Sequence, residues 1–270
     1  ASSKSKVPGI VHDVSASSKT FYIEPNQIVP LNNKIREVKS KIHGEIISIL
    51  TNLSREIKIN LEDIKTSITI LGEIDFHFAK ARYAIKTQSV EPILETKKII
   101  KLEKMRHPLL IGRVDPLVAN DFSIGKDYHS VLITGSNTGG KTVALKTIGL
   151  FLLMTNSGMF LPCTEARIYP FKTIFADIGD SQNILQNLST FSSHMTNIID
   201  ILNQSNSDSF VLIDELCAGT DPVEGAVLAE VILKRLQKLS VNSVITTHYG
   251  ELKSLEYSDN YFKNASVEFD

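Results

Sequence analysis

The chain has 270 residues, 42% of them hydrophobic and 22% charged, with a formal net charge of −1 and an isoelectric point of about 6.7. That length buries a proper core, in one large domain or a domain with an appendage, and the composition excludes a disordered or fibrous chain. The near-neutral charge excludes a global positive field that would hold nucleic acid by counterion release, so such a role needs a local patch, a partner subunit or further segments.

The first predicted elements are two short β-prone runs around a Ser-rich turn in IVHDVSASSKTFYI, residues 10 to 23, which read as a hairpin. EPNQIVP breaks the pattern. From Leu31 the apolar residues Leu31, Ile35, Val38, Ile42, Ile46, Ile49 and Leu53 recur every three or four positions, the mark of an amphipathic helix. A second series follows through Leu61, Ile64, Ile68, Leu71, Ile74 and Phe78, and the short gap near Lys58 to Asn60 predicts an antiparallel helical pair, a lever or interaction arm. The basic residues Lys34, Arg36, Lys39 and Lys41 form its solvated face.

From about Lys97 strands and helices alternate. VLIT (131 to 134) leads through a Gly-rich loop into the helix-like KTVALKTIGLFLLM; a β-prone stretch IYPFKTIFAD precedes the hydroxyl-rich LSTFSSHM, which starts a helix. FVLID (210 to 214), the helix PVEGAVLAEVILKRLQKL and the strand NSVITT complete the series. This alternation predicts an α/β domain with a mainly parallel sheet at residues 96 to 270, preceded by a hairpin and helical segment at 1 to 95.

Four motifs carry chemistry. GSNTGGKT (135 to 142) fits G-x-x-x-x-G-K-[ST]: its glycines turn backbone amides toward a pyrophosphate, Lys141 reaches the β and γ oxygens, and Thr142 offers a hydroxyl to magnesium. FVLIDE sets Asp214 at the carboxyl end of a strand, where it suits a magnesium shell, with Glu215 suited to activating water. Taken alone, that acidic pair reads equally as a surface cap. His248, after NSVITT, is a third polar group at a strand end and can sense a γ-phosphate or orient water. Ser189, Thr190, Ser192 and Ser193 in LSTFSSHM read either as a plain helix cap or as a site for an anion. Cys163 and Cys217 have no zinc-ligand spacing and are expected as small buried hydrophobes in a reduced compartment. No apolar run reaches the roughly 20 residues of a membrane span, and ASSKSKVPG is not a secretory signal, so a cytoplasmic protein without membrane contact is expected.

TGSNTGGKT, ADIGD, LSTFSSHM, DELCAGTDP and TTHYGELK, in this order, resemble the ATPase domain of the MutS family, and their wording is closest to its Smr-linked second bacterial paralogue branch. RHPLL and PLVAND resemble the opening of that domain, and GIVHDVSAS, FYIEP and DFHFAKARYA the hairpin and lever before it. The resemblance implies a P-loop NTPase of ABC type, using ATP and Mg2+, working as a homodimer through its ATPase face. It implies that Gly135, Ser136, Asn137, Thr138, Gly139, Gly140, Lys141 and Thr142 hold the phosphates, that Thr142 and Asp214 hold the metal, and that Glu215, His248 and Lys141 serve catalysis. Ser189 would act in trans on the partner's nucleotide, with Thr220 and Asp221 lining that interface.

The branch implies ATP-driven motion of a clamp on branched or non-specific DNA, on the ribosome, or on both, in suppressing homologous recombination and splitting collided ribosomes. Its nuclease, and further ATPase sequence, would lie beyond this C-terminally truncated chain. The competing expectation is an ATP-gated binding module with negligible hydrolysis. Three residues depart from the family pattern: Ser136 stands for a usual proline, Cys217 for a common glycine, and Leu117 for an aromatic that stacks on adenine in mismatch-repair relatives.

Overall fold

A computed structural model describes residues 7–16, 20–135, 140–179 and 187–267; within the helix that begins at Asn187, side chains are described from Phe191. The chain forms two compact units, residues 1–75 and Phe76–Asp270.

In the first unit, β1 (Gly9–Val14) and β2 (Phe21–Pro25) pair antiparallel, with a register shift between Val11 and Asp13. The expected hairpin is thus present, and the part of its turn at 17–19 lies outside the described residues. Glu24 fastens the hairpin to the next helix, accepting from Asn32 Nδ2 at 2.5 Å while its other oxygen meets His12 Nε2 at 2.6 Å. Helix α1 (Val29–Ile59) starts with a proline in its first turn and α2 (Leu61–Thr87) follows after Asn60 alone.

The expected antiparallel packing of these helices is corrected. A helical hairpin takes a loop of about 2–5 residues, whereas here the Asn60 amide donates to the Glu56 carbonyl and the Ile64 amide to the Asn60 carbonyl, carrying the helical pattern through the junction. No residue of α1 is buried, and Leu31, Ile42, Leu53, Ile68 and Leu71 are all exposed. The apolar periodicity is real, but periodicity records that a face is apolar and not which partner covers it.

The second unit is built on a parallel sheet ordered β11–β6–β10–β9–β8: β11 (Phe262–Ser266), β6 (Ser130–Thr134), β10 (Asn242–Thr247), β9 (Ser209–Ile213) and β8 (Thr173–Asp177). Every residue of β6, β9 and β10 is buried. Strands buried along their whole length belong to a sheet covered on both faces. Alternation supplies the two faces: Val131, Ile133, Phe210, Leu212 and Val244 pack with α3 (Lys141–Asn156). Their neighbours Leu132, Val211, Ile213 and Ile245 pack with α4 (Asn187–Gln204) and α5 (Pro222–Lys238). Each fully buried Leu, Ile or Phe in these layers contributes about 1.5–3 kcal/mol. Gly149 lets α3 lie close on β9, since a Cβ there would stand 2.7 Å from Leu212 Cδ1.

A second sheet, ordered β3–β7–β4–β5, extends the α3 side of the core through Ile100, Leu102, Ile124, Ala166 and Ile168; its strands are Ile93–Leu94, Glu165–Ile168, Ile100–Met105 and Asn120–Ile124. IYPFKTIFAD is therefore not one strand. Pro170, with no N–H to donate, separates β7 in the mixed sheet from β8 in the parallel one, and Phe171 beside it is buried against Phe210. A short 3-10 turn (Gly250–Ser254) and α6 (Leu255–Ser258) lead into β11.

Candidate nucleotide site

Parallel register aligns the carboxyl ends of the strands: Thr134 pairs with Thr247, and Ile213 with both Ile245 and Asp177. Gly135, the pair Asp214 and Glu215, and His248 follow, so three segments far apart in the chain meet on one edge of the sheet. Ligands of open α/β sheets bind on this edge.

Ser136, Asn137, Thr138 and Gly139 lie outside the described residues, but both ends of their loop are described. Gly135 has φ 129° and Gly140 φ 81°, conformations that favour glycine. Gly140 is the N-cap of α3; among the described residues no side chain caps that end, and its first turn holds no acidic residue. A helix start of this kind offers backbone amides and the positive end of the helix dipole to an anion.

Lys141 is only 2% exposed, and its Nζ donates to the Gly135 carbonyl. Burial pushes its ammonium below the usual lysine range, against the opposing pull of Glu215 and Asp214. A cation held this way is disposed to take up phosphate oxygens. Thr142, half-buried, occupies the same first turn.

The acidic pair is organised by a residue the motifs did not single out. Thr246 Oγ1 donates to Asp214 Oδ1 at 2.5 Å and accepts from the Glu215 amide at 2.7 Å, while its carbonyl accepts from the Leu216 amide at 3.0 Å. Asp214 is 7% exposed and Thr246 fully buried. Glu215 adopts φ 53°, which turns the chain out of the strand, and its Oε1 stands 3.4 Å from His248 Nε2. Cys217, buried, has φ 59°; its carbonyl accepts from the Tyr249 hydroxyl at 2.7 Å, and burial pushes its thiol up to about 11. The cysteine thus holds a left-handed conformation that glycine would adopt without the roughly 1–2 kcal/mol cost paid by an L side chain. Both cysteines are free and buried, as expected.

Thr246→Val keeps shape and removes the hydroxyl. We expect the fold to lose about 1–3 kcal/mol, because a carboxylate oxygen and an amide lose their buried partner. Urea unfolding measures this, and a loss below about 0.5 kcal/mol would show that solvent replaces the hydroxyl.

α4 begins at Asn187, so the hydroxyl cluster lies within the helix rather than ahead of it; Ser189 is in the first turn and its side chain is outside those described. Further along, His194 Nδ1 lies 2.8 Å from Asp177 Oδ2, and Asn197 Nδ2 donates to Asp177 Oδ1 at 3.2 Å. Asp221 caps α5 by accepting from the Val223 and Glu224 amides, which gives it a structural role in this chain whatever else it meets. Thr220 is half-buried beside it.

Among the described residues no three His, Cys, Asp or Glu side chains converge as metal ligands. Magnesium takes one or two protein oxygens and completes its shell with water and phosphate; Thr142 and Asp214 carry oxygens of that kind.

A G-x-x-x-x-G-K-[ST] motif joining a buried parallel strand to a helix start, in a sheet whose neighbouring strand ends in an acidic pair, marks the larger unit as a P-loop ATPase domain. Residues 131–270 match the family model described as MutS domain V, and the chain belongs to the MutS family. It is 51% identical over 271 residues to Endonuclease MutS2 of Clostridium kluyveri (100% of this chain, 34% of the relative) and 49% identical over 268 residues to Endonuclease MutS2 of Pelotomaculum thermopropionicum (99% and 34%). A third relative, Endonuclease MutS2 of a Geobacillus species, is 49% identical over 263 residues (97% and 33%). The chain spans about one third of the length of these curated relatives. No helix among the described residues is long and apolar enough to cross a membrane.

Proposed function

We propose that the chain hydrolyses ATP to drive a dimeric MutS-like clamp acting on nucleic acid, with branched or non-specific DNA and the ribosome as its candidate substrates. Suppression of homologous recombination and splitting of collided ribosomes are the tasks that clamp would serve, in the cytoplasm. The observation that supports this most is the meeting of Lys141, Asp214, Glu215 and His248 on one sheet edge beside an uncapped helix start.

In this reading the amides of Gly135 to Gly140 and the Lys141 ammonium hold the β and γ phosphates. Thr142 and Asp214 hold Mg2+, which supplies neutralisation of charge on the phosphoryl oxygens. Glu215 orients and deprotonates the attacking water, steadied by His248 at 3.4 Å. Ser189 closes the γ-phosphate from the opposite face, carried there by α4 of a second copy. Nuclease activity is assigned to none of these residues; the word belongs to the relatives' names.

Turnover measured against protein concentration tests the reading. A rise steeper than first order supports a site completed in trans, whereas tight ATP binding with no turnover at any concentration would establish a nucleotide-gated binding module instead. Ser189→Ala is expected to spare ATP affinity and lower kcat about tenfold to a hundredfold, the scale of one lost donor to a developing charge. Unchanged kcat in a dimer shown by light scattering would remove Ser189 from the site.

A further inference from the structure

Among the side chains of α4 that are described, the buried apolar ones, Ile198 and Ile201, lie beyond His194, toward the carboxyl end of the helix. Between its earlier turns and the loop after β9 is a cavity of about 300 Å³, lined by Phe191 and His194 on one side and by Asp214, Glu215 and Cys217 on the other.

Asp177 spans the gap. It ends β8, is 4% exposed, and commits both carboxylate oxygens to α4: Oδ2 to His194 Nδ1 at 2.8 Å and Oδ1 to Asn197 Nδ2 at 3.2 Å. His194 and Asn197 are three residues apart and share one face of the helix. The Asp177 carbonyl accepts from the Asp214 amide at 2.9 Å. One residue therefore grips the early part of α4 with its side chain and the acidic strand end with its backbone.

We propose that Asp177, acting through His194, is a positioning residue that couples a protomer's own nucleotide site to its own α4, the helix that completes the partner's site. A shift of Asp214 in response to nucleotide would move Asp177 with it, and Asp177 would carry the start of α4 by two hydrogen bonds on one face. The pair needs no chemistry of its own, since an ionised carboxylate only accepts and the imidazole Nδ1–H donates. This rests on the reading that Ser189 acts in trans. It assigns to ADIGD a role that neither the phosphate loop nor the acidic pair covers.

The test uses the full-length protein with ATP as the probe, and avoids Asp177 itself, whose replacement would break both contacts to α4 at once. His194→Leu removes the donor; His194→Asn keeps one, because the Asn amide nitrogen occupies the place of Nδ1. For His194→Leu, kcat is expected to fall about tenfold with KM and ATP affinity within about twofold, the range seen for partners that orient a working group. His194→Asn is expected to recover roughly half of the lost rate or more. Combined with Ser189→Ala, His194→Leu is expected to add no further loss, since both changes disable one helix.

Turnover of His194→Leu within about twofold of the parent, loss expressed in ATP affinity instead of kcat, failure of Asn to rescue, or full additivity with Ser189→Ala would each overturn the coupling. The parent and Glu215→Gln are run alongside. Parent turnover abolished by Glu215→Gln, with His194→Leu unaffected, overturns the coupling and leaves the ATPase reading standing; parent turnover insensitive to Glu215→Gln overturns that reading and the coupling with it.

Discussion

Replacing Glu215 by Gln is expected to lower ATP turnover by about a hundredfold or more while ATP still binds. Removing a base forfeits about 10²–10⁴ in rate, and an amide oxygen accepts a hydrogen bond from water without taking its proton. The site favours this clean split between binding and turnover. The Glu215 amide is fixed on Thr246 Oγ1 at 2.7 Å and its left-handed φ of 53° is set by the backbone. The substitution therefore leaves the loop in place. The change removes the charge that acts on Lys141 and leaves a neutral acceptor where Glu215 Oε1 now stands 3.4 Å from His248 Nε2. Single-turnover hydrolysis and equilibrium binding of a fluorescent ATP analogue measure the two halves. Turnover retained within about tenfold would move the base elsewhere, with His248 the next group on that edge.

Lys141→Ala acts on the other half. ATP affinity is expected to fall by about a hundredfold or more, since a charge-assisted contact to phosphate in a dry site contributes more than a neutral one. Isothermal titration measures it, and a loss below about fivefold would mean that loop amides alone carry the phosphates. The nucleotide-free fold is not expected to suffer. Lys141 is buried, and its folded pKa is lowered by that burial. Between the lowered folded value and the ordinary lysine value near 10.4, the unfolded chain holds more protons than the native one, so stability rises with pH across that window. Lys141→Ala should flatten that rise, visible as a smaller gain in Tm between neutral and alkaline buffer.

Much of the ATPase core is legible because its signals are local. β6, β9 and β10 are short β-prone runs with apolar centres, α5 opens with Asp221 and Pro222 as cap and first helical residue, and GSNTGGKT names both the strand before it and the helix after it. The mixed sheet escaped because β3 has two residues, and β4 is interrupted where Lys104 takes a positive φ. The helical pair was half legible: its stripes fix where the helices run, but the solvent exposure of those stripes is a fact of tertiary contact. Thr246 was hidden in NSVITT, where a threonine is simply a good strand former. The Asp177 to His194 contact joins separate elements, and no spacing within one element records such a meeting.

The close seating of α3 on β9 has a bearing on tolerance to change. Lys141 and Thr142 begin α3, and Asp214 follows β9, so the gap between the phosphate-holding turn and the acidic strand end is gauged by Gly149 against Leu212, about two helical turns from the lysine. A methyl added there would meet Leu212 Cδ1 at 2.7 Å, so the leucine side chain must turn aside or α3 and β9 must part, and each of those elements carries half of the site. Change at that interior position therefore bears on the spacing of the site as well as on the packing of the core.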